Sequence, residues 1–158
     1  MNAIDVLMYG QRTIVSTMQR YGHDDWSRTA LGVWSAKDLL GHLGAFEVRF
    51  ADALAPFLGV PLESDLIAAD RATFNDDQAA IRKDWTIERI TDEYVTAHER
   101  VMSFARELPA TVWSEVGTIP WYGPEYSLDD LVVYTMYGHK REHDPQLSAV
   151  LENGGPRR

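Results

Sequence analysis

The sequence contains no cysteine, and this absence excludes two kinds of chemistry. No disulfide framework can form, and no side-chain thiol is available as a nucleophile or metal ligand, so a reducing cytoplasm is the expected compartment. Long hydrophobic runs are also missing: no stretch approaches the ~20 apolar residues that a membrane-spanning helix needs. The first residues include Asp5 and no basic segment, which does not resemble a signal peptide.

Positive charge is scarce. Lysine and arginine number 15 against 24 aspartates and glutamates, for a formal net charge of −9. Nucleic-acid-binding proteins need a basic surface that displaces counterions, so neither DNA nor RNA is an expected partner. At 158 residues, the chain is long enough to bury a sizeable core, and we expect one domain over residues 1–158.

Apolar residues recur with helical spacing along four segments, and no segment shows convincing strand-like alternation. This pattern predicts an all-α protein, with a bundle as the best architecture. The four stripes are Ile4, Leu7, Ile14 and Met18; Leu39, His42, Phe46, Phe50, Ala53 and Phe57; Ile87, Ile90, Tyr94, Ala97, Val101, Phe104 and Leu108; and Leu128, Val132, Met136, His139, His143, Gln146 and Val150.

Hydroxyl side chains precede three of these segments, as expected for helix starts. Ser35 with Asp38, and Ser127 with Asp130, have the spacing of capping boxes, and Thr86 can cap the third helix. An aromatic residue stands before each cap and can pack on the first helical turn. These signals predict where each helix enters the bundle.

Two long connections separate the predicted helices. The first spans residues 59–84, where "DDQAAIRKDW" can form a short helix. The second, "PATVWSEVGTIPWYGPEY", is rich in aromatic residues and glycine. Loops of this length without regular structure are uncommon unless they have a function. The second connection is either a wall or lid of a pocket or an irregular hydrophobic cover over the end of the bundle.

His139 and His143 are one helical turn apart and lie on an inward stripe, where His42 lies on another helix. Histidines at this spacing can chelate a divalent ion, whose bonds to imidazole nitrogen are about 2.0–2.1 Å. Buried imidazoles need partners. Two hypotheses remain open: the three rings share a metal ion, or each bonds a backbone carbonyl or a carboxylate such as Asp38.

The other two histidines are weaker candidates. His23 falls in a polar turn and is expected to be solvated, and His98 is expected at the edge of its helical stripe. Glu47 is five residues from His42 and faces elsewhere on the helix. Structural zinc sites usually have four protein ligands, so three histidines without a fourth ligand favour an open site.

The segments "WSAKDLLGHL" and "YSLDDLVVYTMYGHKREHDPQL" resemble the DinB-like superfamily, which includes thiol-dependent S-transferases and mycothiol-dependent maleylpyruvate isomerase. The matching positions are His42 on the second helix and the H-x-x-x-H-x-x-Q motif formed by His139, His143 and Gln146. The resemblance implies a four-helix bundle with a long crossover, a divalent metal held by the three histidines, and often a homodimer.

Pro145 departs from the family pattern. It either kinks the helix or starts a new one capped by Asp144, which puts the geometry of His143 in question.

A zinc, nickel or iron ion held by three imidazoles would keep open positions, where it can lower the pKa of bound water or hold a thiol as thiolate. Since the chain has no cysteine, a sulfur nucleophile must be a small molecule. The leading hypothesis is a transferase in which a low-molecular-weight thiol, of the mycothiol or bacillithiol type, attacks a small electrophile. A metal-dependent hydrolase and a non-catalytic binding or stress-response protein are the alternatives. The candidate substrate contacts are Arg49, Trp121, Tyr122, Tyr126 and Gln146.

Overall fold

The computed structural model describes residues 2–153 and is all-α apart from one small hairpin. The helices are α1 (Ala3–Met18), α2 (Ala36–Leu54), α3 (Phe74–Arg82), α4 (Ile87–Glu107), α5 (Ala110–Ser114), α6 (Leu128–Asp130) and α7 (Gly138–Glu152). A π-helix, Leu131–Tyr137, joins α6 to α7 without a break in helical backbone. Short 3₁₀ turns cover His23–Ser27 and Ala55–Leu58. The predicted fold class is confirmed.

The helix starts follow the capping signals in the sequence. The side chain of Ser35 accepts a hydrogen bond from the Asp38 N–H, and the Asp38 carboxylate accepts one from the Ser35 N–H, which forms a capping box at α2. Ser127 and Asp130 form the same arrangement at α6. Thr86 caps α4. Each such cap contributes about 1 kcal/mol and fixes the register of its helix.

Four long helical segments form the bundle. α2 packs on α4 and α7, and α1 packs on α4 and on the π-helix and α7. Glycines allow the closest approach between α2 and α4: a Cβ at Gly44 would lie 3.1 Å from Glu93 Oε1, and one at Gly41 would lie 3.2 Å from Ile90 Cδ1. The long crossover is the connection between α2 and α4, and α3 lies within it.

Buried ion pairs attach this crossover to the bundle. The carboxylate of Asp52 accepts hydrogen bonds from the backbone of Glu63 and Ser64, each at 3.0 Å, and pairs with Arg100 at 3.1 Å. Arg82 near the end of α3 forms a two-pronged ion pair with Glu93 on α4, at 2.6 and 3.0 Å. The crossover is therefore fixed at both ends, and α3 has a defined position against α2.

The core consists of two main apolar clusters with a polar layer between them along α2 and α7. Leu39 and Leu43 belong to one cluster and Phe50 to the other, and the polar residues of α2 lie between. Met136 in the π-helix and Leu147 in α7 likewise belong to different clusters. The histidines predicted as ligands fall in this polar layer.

Two local features were not predicted from the sequence. Thr29–Leu31 pairs antiparallel with Trp34–Ser35 as a small hairpin before α2, where no strand was expected. The π-helix was not expected either; it ends with the Gly138 N–H bonded to the Val133 carbonyl, five residues back. Residues with this hydrogen-bond pattern are frequent at functional sites.

Pro145 does not interrupt the last helix. α7 continues through it to Glu152, so of the two alternatives the one in which Asp144 caps a new helix is wrong. Asp144 instead accepts a hydrogen bond from Thr17 on α1, at 2.6 Å. This contact lies next to His143 and attaches α7 to α1 at the level of the histidines.

Within residues 2–153, no helix is both long and apolar enough to cross a membrane.

Candidate metal centre

Three imidazoles from two helices meet between the apolar clusters. His42 lies in the middle of α2, and His139 and His143 lie one turn apart on α7. One ring nitrogen from each histidine lies within 4.8 Å of one from each of the others. The convergence that the sequence pattern indicated is therefore present in the structure.

The closest contact joins the two Nε2 atoms of His42 and His139, which are 2.7 Å apart. The ring centroids of His42 and His143 are 5.2 Å apart, and those of His139 and His143 are 4.5 Å apart. Nitrogen atoms bound to one ion by bonds of 2.0–2.1 Å lie roughly 3 Å from each other. The three rings thus stand at separations that a single ion can bridge after small side-chain adjustments.

Gln146 orients one of these rings. Nδ1 of His143 lies 2.6 Å from Gln146 Oε1, a hydrogen bond in which the ring N–H donates to the amide oxygen. Nε2 is then the nitrogen of His143 that carries the free lone pair. Metal-binding histidines usually donate their second N–H in this way. Nδ1 of His42, by contrast, is buried without a hydrogen-bond partner among the described residues.

Carboxylate partners for these histidines are absent from the described hydrogen bonds. Asp38, the candidate from the sequence, is engaged with the Ser35 backbone and hydroxyl at 2.9 and 2.7 Å. Aromatic rings pack against the cluster instead: the centroid of Trp34 lies 5.0 Å from that of His42, and that of Phe46 lies 4.3 Å from that of His139. The rings of His42 and His139 are held by packing and by each other, whereas His143 is also held by Gln146.

Burial keeps two of the imidazoles neutral. Desolvation, with a smaller contribution from the nearby His143, lowers the pKa of His42 to about 4. Desolvation is also the largest cause at His139, where His42 and His143 contribute less, and the pKa is lowered to about 2. Neutral imidazole is the form that binds metal, so the pocket favours the binding form over the charged one at neutral pH.

A buried ion network borders the cluster. Glu47 is fully buried and forms an ion pair with Lys140, the residue after His139. It also accepts a hydrogen bond from Nδ1 of His98, at 3.1 Å. Burial alone would raise the pKa of Glu47, but Lys140 and His98 outweigh it and lower the pKa to about 2. Glu47 is thus engaged by Lys140 and His98 rather than by the clustered histidines.

The structure changes the interpretation of one histidine from the sequence. His98 was expected at the edge of its stripe, but it is 7% exposed and bound to Glu47. Sequence spacing gave no sign of this contact, because the partner lies 51 residues away on another helix. His23 is exposed, as expected, and lies outside the cluster.

A cavity of about 220 Å³ adjoins the cluster on the side of Phe46. It brings together three of the predicted substrate contacts, Arg49, Trp121 and Tyr122. Part of the long aromatic connection therefore forms a pocket wall, whereas Trp113 in the same connection is buried in the core. Of the two hypotheses for this connection, each describes a part of it.

The other two predicted contacts are elsewhere. Tyr126 packs behind Tyr122, with ring centroids 5.0 Å apart, and is not among the residues that line the cavity. Gln146 bonds to His143 and is also absent from the lining. Cavity residues that the sequence analysis did not single out for function are Phe46, Phe50, Arg71, Phe74, Asn75, Leu131, Thr135 and Met136.

The comparisons with known proteins point to one family. The family model described as the DinB superfamily matches residues 10–147, which is most of the chain and includes all three clustered histidines. Among curated proteins and solved structures, nothing matches the chain.

Proposed function

The chain belongs to the DinB superfamily, and on that basis we propose that His42, His139 and His143 bind one divalent metal ion in a thiol-dependent transferase. The observation that carries this proposal is the meeting of three imidazoles from α2 and α7, of which those of His42 and His143 are buried and that of His139 is partly buried. No described carboxylate joins them, so the site has three neutral ligands. Such a set leaves positions on the ion for other molecules.

The residues present fit such an ion. Burial lowers the pKa of His42 and His139, so their nitrogen lone pairs stay available at neutral pH. Gln146 accepts a hydrogen bond from the Nδ1–H of His143, which leaves the lone pair of Nε2 free. Nitrogen ligands suit zinc, nickel and iron alike, so the proposed ion is one of these three metals.

A divalent ion at this place would supply Lewis acidity, which lowers the pKa of a bound thiol or water. Because the protein has no cysteine, the sulfur must come from a low-molecular-weight thiol. In the proposed reaction a sulfur–carbon bond forms, the leaving group departs from the electrophile, and the thiol proton passes to solvent.

The chain's own residues position the reactants. Trp34 and Phe46 pack against the imidazoles and limit the access of water from their side. Arg49, Trp121 and Tyr122 contact the electrophile in the adjoining cavity. A hydrogen bond of 3.1 Å between Thr135 Oγ1 and Tyr122 Oη keeps one wall of that cavity in place.

We further propose that the enzyme is a homodimer and that it acts in the cytoplasm. The lack of cysteine supports a reducing compartment, and the resemblance to the superfamily supports the homodimer. The net charge of −9 supports small molecules rather than nucleic acids as partners.

Metal analysis of the protein, purified without a histidine tag and then incubated with zinc or nickel, tests the centre directly. We expect close to one ion per chain, and loss of the ion in His139→Ala. His23→Ala is the matched control, since this histidine is exposed and outside the cluster. A protein that takes up neither metal, or a His139→Ala variant that keeps the ion, would refute the centre.

Turnover then separates the possible reactions. With monochlorobimane as electrophile, and cysteine, mycothiol or bacillithiol as the thiol, we expect metal-dependent conjugation with release of chloride. Hydrolysis of 4-nitrophenyl acetate that is unaffected by thiol would favour the hydrolase. A metal-loaded protein with neither activity would favour the non-catalytic binding protein.

A further inference from the structure

The cavity beside the histidines contains two positive charges and no negative one. Arg49 and Arg71 line it, and none of its lining residues is an aspartate or a glutamate. This is unusual in a chain whose acidic residues outnumber its basic ones by 24 to 15. Two guanidinium groups without carboxylates in a small aromatic cavity indicate that an anion from outside the chain is the missing partner.

Arg49 is the stronger part of this observation. Its guanidinium lies 4.8 Å from the ring centroid of Phe74 and 5.1 Å from that of Trp121. Its Nε is buried and has no hydrogen-bond partner in the part of the chain that the structure describes. Burial, with a smaller contribution from the charge of Arg71, lowers the pKa of Arg49. A half-buried cation held beside a second cation is an arrangement that an incoming carboxylate would stabilise.

Other arginines of the same chain provide an internal comparison. Arg82 and Arg100 also lie over aromatic rings. Arg82 is paired with Glu93, and Arg100 is paired with Asp52. Among residues 2–153, these two arginines have a carboxylate partner and Arg49 has none, which is expected where a ligand supplies it.

The cavity is within reach of the histidine cluster. Phe46 forms part of its lining, and the same ring lies 4.3 Å from His139. Met136, another lining residue, lies in the π-helix that continues into α7, where His139 is located. A small molecule bound in the cavity therefore lies beside the histidine cluster.

We propose that this cavity binds a small molecule with a flat or apolar body, whose carboxylate is held between Arg49 and Arg71. Guanidinium groups hold carboxylates by two parallel hydrogen bonds, and aromatic rings such as Phe74 and Trp121 accommodate a flat body. The inference rests on the proposed function for its chemical consequence: the electrophile, or the thiol, is a carboxylic acid. The binding itself does not depend on the metal.

Isothermal titration calorimetry with benzoate and its neutral analogue benzamide tests the inference. We expect benzoate to bind and benzamide to bind at least about tenfold more weakly, because a charge-assisted pair is lost. Arg49→Gln and Arg71→Gln should each weaken benzoate binding by about tenfold or more. Arg106→Gln, which removes an exposed arginine outside this cavity, should have no effect.

Further variants and ligands sharpen the result. Arg49→Lys keeps the charge but not the planar fork, and we expect intermediate affinity. Arg71 is exposed, so Arg71→Gln tests the site even if replacing Arg49 disturbs folding. Equal binding of benzoate and benzamide, or benzoate binding that neither arginine affects, would overturn the inference. Tighter binding of inorganic phosphate than of benzoate would overturn the assignment to a carboxylate.

Metal analysis and the titration, both done on the unchanged protein, separate this inference from the proposed function. If the unchanged protein takes up no metal but binds benzoate in an arginine-dependent way, the anion site stands and the metal centre is removed. Benzoate binding should persist in His139→Ala, because the arginines do not depend on the ion. Metal uptake without arginine-dependent benzoate binding would leave the centre standing and remove the anion site.

Discussion

Lys140 forms a buried ion pair with Glu47, and it is the residue that directly follows His139. The pair joins α7 to α2 beside the two helices' histidines, and both side chains are almost completely buried. Gly10 on α1 leaves room for the lysine stem, since a Cβ there would lie 3.1 Å from Lys140 Cδ. The pair therefore fixes the relative position of the two helices that carry the cluster.

Removing the ammonium group alone should destabilise the protein strongly. Lys140→Met leaves the buried Glu47 charge without its ammonium partner, although the hydrogen bond with His98 remains, and we expect a loss of about 3 kcal/mol in the free energy of unfolding. Urea unfolding of the metal-free protein measures this. The double variant Glu47→Gln/Lys140→Met should recover most of the loss, because no unpaired charge remains. Lys83→Met, at an exposed lysine, is the control. A double variant no more stable than Lys140→Met would contradict the argument.

Gln146 should affect metal affinity without taking part in binding. Gln146→Ala removes the acceptor of the His143 Nδ1–H, and such losses typically weaken metal binding by about 10–100-fold. Competition with a chelating zinc indicator measures the change. Gln146→Glu keeps an acceptor and should retain most of the affinity. Gln19→Ala, at an exposed glutamine outside the cluster, should behave as the unchanged protein. Undiminished zinc affinity in Gln146→Ala would refute this orienting role.

Much of the fold could be predicted from local signals. The capping boxes at Ser35 and Ser127 act within three residues, so the sequence alone indicates where α2 and α6 begin. The inward position of His42 and His143 follows from helical spacing, and both are 5% exposed. Local spacing and caps determine which face of a helix turns inward, and this was enough to place the histidines on inward faces.

Contacts between distant residues could not be predicted in this way. The pairing of Glu47 with His98 depends on how closely α2 and α4 approach, and no spacing in the sequence encodes that distance. Arg71 is exposed on a connection, and only the placement of α3 shows that it lines a cavity with Arg49. The family resemblance, rather than the periodicity, supported the choice of a metal over hydrogen-bonded imidazoles.

Stability of the metal-free protein should fall as the pH is lowered from 6.5 towards 4. The folded state holds the pKa of His42 at about 4 and that of His139 at about 2, against an ordinary value of 6.5. In this window the unfolded chain binds more protons than the folded one, so acid favours unfolding. The expected loss is about 1.4 kcal/mol per pH unit for each imidazole. Denaturant unfolding at a series of pH values measures the slope.

Variants identify the groups responsible for this slope. His42→Asn/His139→Asn should flatten it between pH 6.5 and 4.5, above the range in which Glu47, with a pKa lowered from 4.5 to about 2, contributes. His23→Asn should leave it unchanged, because that histidine is exposed. Stability that is constant from pH 7 to pH 5 would contradict the assignment.

Replacing Pro145 tests whether the position of His143 depends on the proline or on the contacts of the neighbouring residues. The missing N–H leaves the Arg141 carbonyl without its usual helical donor, so Pro145→Ala should raise the free energy of unfolding by about 1–2 kcal/mol after the greater freedom of the unfolded chain is counted. Asp144 is held by Thr17, and His143 by Gln146, independently of the proline. Zinc affinity should therefore stay within about twofold, as for sites that do not share partners.

Urea unfolding and the chelator competition measure the two quantities on the same protein, with Glu142→Ala as an exposed control on the same helix. A more stable variant that binds zinc much more weakly would show that the proline, and not the contacts of its neighbours, directs His143 into the cluster.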